Sequence, residues 1–279
     1  MQLGQEVSRN MSTLRVTELW IHPVKSCRGI ALEHAEVSAR GLRWDRHWMV
    51  VDEAGRFLTQ RDLPAMATIA PAVSPDALML SAPGRPDLEL RHDGAGEAVV
   101  VTVWRDTVAA RTVSEAADRW LSVHLGVACR LVRFADDVRR PVDPTYGAPG
   151  DETAFSDGFP LLLIGQGSLD ELNRRLPRPL PMRRFRPNLV VAGAAPHAED
   201  DWRRIRTGSI TLRVVKPCSR CAITTVDPER GVRDGAEPLE TLATYRRREG
   251  RVYFGQNVIP DGAGAVRVGD LVEVLDDAR

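Results

Sequence analysis

Short apolar runs, many of them alternating or β-branched, are broken every few positions by Gly, Pro and Asp along most of this chain. Residues 14–21 read as a strand, residues 31–37 alternate again, and residues 49–52 make a third run before the turn Glu53-Ala54-Gly55. From residue 57 to 111 the same texture continues, with turns expected at Pro71, Pro75, Pro83-Gly84 and Asp93-Gly94, as in a small barrel or sandwich. Further strands are expected at 130–134, 161–164, 189–192, 210–214, 222–226 and 252–259, with a last strand pair around Val266, Val268, Val272 and Val274. Helices interrupt this pattern at few places. Thr112 and Glu115 have the spacing of a capping box ahead of Val113, Ala116, Ala117, Trp120 and Leu121, whose apolar face stops at Gly126. Ser168 and Glu171 repeat the box, and Leu169, Leu172 and Leu176 share a face until Pro177 ends it. Pro238 opens a short helix to about Arg247. The expected class is mainly β with a few helices (α+β).

Length and charge narrow the picture. At 279 residues the chain can hold two ordinary cores, and the polar, Pro-rich stretch 136–150 divides residues 13–135 from residues 151–276, after a polar tail of residues 1–12. With 38 acidic and 38 basic residues the chain is neutral, which gives no support for nucleic-acid binding. No run approaches the roughly 18 apolar residues of a membrane span, so no membrane partner is expected. Four Cys at irregular spacing make no disulfide framework, and a reducing, cytoplasmic setting is expected.

The chemistry concentrates in Lys216-Pro217-Cys218-Ser219-Arg220-Cys221, which follows the alternating run 210–214 and therefore sits at a strand end. A thioredoxin-like dithiol needs a helix N-terminus to activate its first thiol, and none is expected after Cys221. A structural zinc site needs four soft ligands, whereas Cys27 and Cys129 are isolated and no His pair has ligand spacing. A single thiolate on a softer redox metal, with cations holding an anionic cofactor, and a pair of small buried side chains both remain open. The lysines bear on that choice. Every basic position but Lys25 and Lys216 is Arg, and both lysines lie beside a Cys, so two distant segments are expected to build one site. Asp45-Arg46 between Trp44 and Trp48 reads either as an ion pair under aromatics or as part of that site, and Ser156-Asp157-Gly158 either as a plain turn or as a loop that lets backbone N–H groups approach a ligand. Arg183, Arg184 and Arg186 around Phe185 suit a local anion site.

Taken in order, Pro23-Val24-Lys25-Ser26-Cys27 with Asp45-Arg46, Phe155-Ser156-Asp157, Phe185-Arg186-Pro187-Asn188, Cys218-Ser219-Arg220-Cys221 with Thr224-Thr225-Val226-Asp227-Pro228, Glu237-Pro238-Leu239-Glu240-Thr241-Leu242 and Phe254-Gly255-Gln256-Asn257 resemble the MOSC-domain molybdoenzymes. They resemble most the mitochondrial amidoxime-reducing components and their bacterial N-hydroxylaminopurine-resistance relatives. The resemblance runs from about residue 14 to 275. It implies an N-terminal MOSC β-barrel domain and a β-barrel-like MOSC domain with the molybdenum cofactor, a molybdenum pyranopterin, between them. Cys221 would ligate the metal. Lys25, Ser26 and Arg46 from the first domain, and Ser156, Asp157, Gly158, Arg186, Asn188, Ser219, Arg220 and Asn257 from the second, would contact the cofactor, with Cys218 structural. The implied activity is reduction of hydroxylamines and amidoximes to amines and amidines, with Asp157 a candidate proton donor. With no Cys cluster in the sequence and a polar start, neither an iron-sulfur centre nor a membrane anchor is expected. Electrons are therefore expected from a separate ferredoxin- or cytochrome-type protein. The alternative is a non-catalytic carrier of the cofactor or of sulfur.

Overall fold

The computed structural model describes residues 13–92 and 96–277; the expected tail of residues 1–12 and the turn at Asp93-Gly94 lie outside them. Among the described residues strands dominate, with three α-helices at Glu115–Leu125, Gln166–Arg175 and Leu239–Ala243. No helix among them is long and apolar enough to cross a membrane.

The largest sheet has nine strands in the order Ile30–Leu32, Arg15–Ile21, Leu189–Ala192, Leu161–Gly165, Arg251–Asp261, Ile210–Ser219, Trp202–Thr207, Val272–Asp277, with Arg247–Arg248 paired onto Arg251–Asp261. Only Leu161–Gly165 and Leu189–Ala192 run parallel, and the helix Gln166–Arg175 supplies the crossover such a pair requires. Leu161, Leu163, Leu189 and Val191 join Val16, Leu19 and Leu212 in the core on one face, while Ile164 and Val190 meet Leu169 and Leu172 of the helix on the other. Burial on both faces explains the unbroken apolar run at 161–164.

The second strand system is built from residues 48–134. Trp48–Val51, Arg130–Phe134, Asp106–Thr112 and Ala98–Val103 form one sheet, and Ala70–Val73, Ala77–Ser81 and Leu88–Arg91 another. Residues 15–42 are absent from both. Arg15–Ile21 pairs with Leu189–Ala192, and His34–Ser38 pairs with Gly264–Arg267, so strand pairing cuts across the sequence division at 136–150. The chain consequently passes between the two systems in loops, two of which, at 43–47 and 153–160, lie at the same place as the loop 22–29 that joins Arg15–Ile21 to Ile30–Leu32. Val24 bridges Trp48, Arg46 N–H donates to His22 O at 3.0 Å, and Phe155 N–H donates to Arg46 O at 3.0 Å.

Several local expectations change. The helix after 112 is capped by Ser114, whose hydroxyl accepts from Ala117 N–H at 3.1 Å, because Thr112 is still in its strand and its hydroxyl accepts from Glu97 N–H at 2.9 Å. Gly126 closes that helix with φ 71°, as its position suggests. Ser168 lies inside its helix rather than at its start: Gly165 is the N-cap, and the Ser168 hydroxyl donates to Glu199 at 2.7 Å. Residues 222–225 form a 3-10 turn instead of a strand, since the Thr224 and Thr225 hydroxyls donate to Cys221 O and Ala222 O at 3.0 and 2.8 Å. Pro71 sits in an edge strand, where a missing N–H costs no ladder bond. The run 31–37 divides into two strands, the last α-helix stops at Ala243, and the strands holding Val266 and Val272 pair with His34–Ser38 and Trp202–Thr207 rather than with each other.

Candidate functional site

These three loops and the end of Ile210–Ser219 enclose a cavity of about 360 Å³. Cys221 and all eleven residues expected at a cofactor line it: Lys25, Ser26, Arg46, Ser156, Asp157, Gly158, Arg186, Asn188, Ser219, Arg220 and Asn257. Lys216 lines it too, so the two lysines of the chain do meet at one place.

Its first wall is fixed by buried polar contacts. Ser26 and Arg46 adopt left-handed backbone with φ 66° and 49°, a conformation that non-glycine residues hold only where the surroundings enforce it. Lys25 is 5 % exposed; its ammonium donates to Phe155 O at 2.8 Å and to Asp157. Phe155 is fully buried against Phe134, with ring centroids 5.2 Å apart, which pins the loop that carries Asp157. Arg46 satisfies both readings of the Asp45-Arg46 pair: it bonds Asp45, Asn188 Oδ1 at 3.0 Å and Arg186 O at 3.2 Å, and still faces the cavity. Asn188 is committed to structure, since its Oδ1 also accepts from Leu162 N–H and its Nδ2 donates to Trp20 O. Arg140, from the stretch read as a linker, is buried and donates to Ala154 O and Ser156 O at 2.7 and 2.6 Å, clamping the 153–160 loop.

The second wall is looser. Cys218 and Cys221 are half-buried, and the pairing of Ile210–Ser219 with Arg251–Asp261 slips between Val214 and Lys216 and again between Pro217 and Ser219. These slips turn the strand end toward the cavity. Arg220 donates to Phe185 O at 2.6 Å and to Cys218 Sγ at 3.1 Å, and its buried Nε has no partner. Cys218, expected to be structural, is the sulfur that meets Arg220, and it also packs on the cluster around Phe254. Of the three Arg around Phe185 only Arg186 reaches the cavity. Arg184 pairs with Asp234 at 2.7 Å, and Arg183 with Glu229 at 3.0 Å.

Six cations line this cavity, Lys25, Arg46, Arg61, Arg186, Lys216 and Arg220, against one carboxylate, Asp157. Burial, with Arg46 adding, pushes the Arg186 guanidinium down to about 9. Burial also lowers Lys25, although Asp157 opposes it. Desolvation favours the neutral form of Asp157, but Lys25, Arg61 and the Trp104 indole override it and hold the carboxyl well below its usual range. An ionised carboxylate bound to an ammonium has no proton to give at neutral pH, so this geometry does not fit the expected proton-donor role of Asp157.

The donor set suits an anionic, phosphate-bearing cofactor. Arg186, Lys216 and Arg220 have no carboxylate partner within 4.0 Å among the described residues, and the hydroxyls of Ser26, Ser156 and Ser219 make no side-chain hydrogen bond there. A Cβ added to Gly158 would meet nothing within 4 Å, so that loop offers open space rather than packing. Structural zinc lacks such support: among the described residues no three His, Cys, Asp or Glu side chains converge on a metal position.

Thr59, Arg61, Trp104 and Phe159 also line the cavity and were not anticipated. Trp104 alone left a trace in sequence, as a bulky residue in the short link between two strands.

Comparison with known proteins agrees with this architecture. Residues 13–128 match the MOSC N-terminal beta barrel domain and residues 150–273 the MOSC domain. Mitochondrial amidoxime-reducing component 1 of Mus musculus is 37 % identical over 93 % of this chain and 82 % of its own length, and that of Homo sapiens matches to the same extent. Mitochondrial amidoxime reducing component 2 of Homo sapiens is 34 % identical over 92 % of this chain and 82 % of its own. The chain therefore belongs to the MOSC-domain proteins, a family associated with molybdenum cofactor binding, alongside the amidoxime-reducing components.

Proposed function

We propose that this chain is a molybdenum-cofactor-dependent reductase of N-hydroxylated compounds, hydroxylamines and amidoximes. The observation that carries the proposal is the concentration of six cations and the Cys221 thiol on one cavity of a chain that is neutral overall. Cys221 is the metal ligand in this reading. Lys25, Arg46, Arg186 and Arg220 hold the cofactor's phosphate and pterin oxygens, forked donors suiting Arg and a point charge suiting Lys. Ser26, Ser156, Ser219, the Gly158 backbone and Asn257 complete the cradle, and Asn188 positions Arg46. Asp157 keeps Lys25 in place.

Bound molybdenum supplies two-electron chemistry at the N–O bond. Two electrons and two protons convert R–NHOH to the amine and water, or an amidoxime to the amidine and water. The chain's residues orient the substrate and exclude competing reactions. Electrons come from a separate ferredoxin- or cytochrome-type protein, and no iron-sulfur cluster belongs to this reading. The four free thiols are the support for a reducing, cytoplasmic setting.

The test is molybdenum and pterin content of the protein from a host that makes the cofactor, followed by benzamidoxime turnover with a chemical reductant. Near-stoichiometric metal and turnover are expected. Loading without turnover would make the chain a carrier, and zinc or no metal would remove the reductase reading.

A further inference from the structure

The connection between the strands Ala98–Val103 and Asp106–Thr112 has two residues, Trp104 and Arg105, with Val103 paired to Asp106. Trp104 has φ 57°, where a tight hairpin ordinarily places Gly or Asn. A tryptophan there is strained and 45 % exposed, an unfavourable choice for a turn and for a surface. It is aimed at the cavity. Its Nε1 donates to Asp157 Oδ1 at 3.1 Å, and Phe57 supports the indole at 5.1 Å between ring centroids. Oδ1 also takes the Lys25 ammonium, which leaves Asp157 Oδ2 facing outward with Arg61 Nη2 at 3.8 Å, beyond hydrogen-bond range. The Arg61 guanidinium lies 4.5 Å from the Trp104 ring centroid.

A planar, nitrogen-rich cation thus already rests on the indole and faces the free oxygen of the cavity's one carboxylate. Arg61 makes no side-chain hydrogen bond among the described residues, so this long ion pair and the stack are what hold it. We infer that the Trp104 face and Asp157 Oδ2 form the recognition subsite for the amidine-type end of a ligand, and that Arg61 fills it as an internal stand-in that swings aside. The inference rests on the reductase reading for its choice of ligand, because amidoxime reduction yields a planar amidine that is protonated in water. A carboxylate and an aromatic face select that shape and charge together. A tetrahedral ammonium loses the stack, and a neutral amide loses the charge.

The test measures binding of benzamidine, benzylamine and benzamide to the full cofactor-loaded chain by calorimetry. Benzamidine is expected to bind at least tenfold more tightly than either of the others. Trp104→Gly, which relieves the left-handed backbone and so keeps the fold, is expected to lose at least tenfold, Trp104→Phe less than threefold, and Arg61→Ala to gain severalfold. Wild-type affinity in Trp104→Gly, or equal binding of benzylamine, would overturn the inference. Benzamidoxime turnover by the same preparations separates the two claims. Turnover with benzamidine binding independent of Trp104 removes the subsite and leaves the reductase, whereas Trp104-dependent binding without turnover removes the reductase and leaves the subsite.

Discussion

The two walls of the cavity hold similar chemistry by different means. On the first, Lys25, Ser26 and Asp45 are 5 %, 4 % and 3 % exposed, and Asp45 and Arg46 are locked to His22 and Asn188, which flank two strands of the nine-stranded sheet. On the second, Cys218, Arg220 and Cys221 are half-buried and Ser219 is exposed, at a strand end whose register has slipped twice. Charge that must sit at a fixed point in low dielectric needs over-determined partners. A thiol that must take a metal needs its sulfur left open. The first wall is therefore part of the fold, and the second is hung on it.

The largest effect expected concerns the second wall. Cys221→Ala is expected to abolish molybdenum retention, measured by metal analysis, with thermal stability close to wild type. Cys218→Ala is expected to keep most of the metal, since its sulfur meets Arg220 and the Phe254 cluster. Equal metal loss in both would erase the distinction between the two thiols.

Next comes the first wall. Arg46→Met leaves the buried Asp45 carboxylate without its cation, and breaking such a pair costs about 3–5 kcal/mol. Burial favours neutral Asp45, but Arg46 and His22 outweigh it and keep the carboxyl below its usual value, so the loss is expected in urea unfolding at neutral pH. A change under about 1 kcal/mol would show that Arg46 serves the ligand alone.

Acid offers a milder probe of the same wall. Burial drives the His22 imidazole well below its ordinary value, with Arg186 and Arg46 adding, and burial pushes His47, beside the crossing loop, down to about 4. A depressed histidine is neutral in the folded protein while the unfolded chain takes up a proton near pH 6.5. Stability is complete above that pH and falls as pH drops toward 4, by about 3 kcal/mol for His47 alone. The depressed carboxyls of Asp45 and Asp157 have the opposite reference, so their contribution disappears only below the ordinary Asp value of about 3.9. Urea midpoints at pH 7, 5.5 and 4.5 separate the windows. His47→Gln is expected to flatten the slope above pH 4.

The contrast between walls also explains what the sequence disclosed. Lys25, Arg46, Arg186 and Cys221 stand in short segments where unusual residue types cluster, and strand texture was legible because half-buried sheets write a period of two. Long-range pairing leaves no such mark. Nothing local says that Arg15–Ile21 closes the sheet of the second half, or that Arg140 leaves an exposed-looking loop to clamp Ser156. Caps shifted for a related reason: Thr112 and Ser114 are both plausible caps, and the ladder to Val132 decides which of them remains strand. The role first read for Asp157 depended on a partner, Lys25, that lies 132 positions away.

The smallest effect concerns the two lysines, one on each wall. Lys25→Met removes a buried ammonium that satisfies Phe155 O and Asp157, and leaving such acceptors unpaired costs about 1–3 kcal/mol. Lys216 has no carboxylate within 4.0 Å among the described residues; its ammonium lies 4.2 Å from the Tyr146 ring centroid and 5.7 Å from that of Phe159. A cation held by rings at a cavity edge contributes about 0.5–1 kcal/mol, so Lys216→Met is expected to lower stability by no more than that in urea unfolding. Its charge, being uncompensated, is free to meet an anion, as are those of Arg186 and Arg220. Lys216→Met should therefore lose pterin severalfold faster on dialysis than wild type while unfolding almost as wild type does. A Lys216→Met protein that keeps its pterin but unfolds as readily as Lys25→Met would reverse the assignment, making the second wall structural as well.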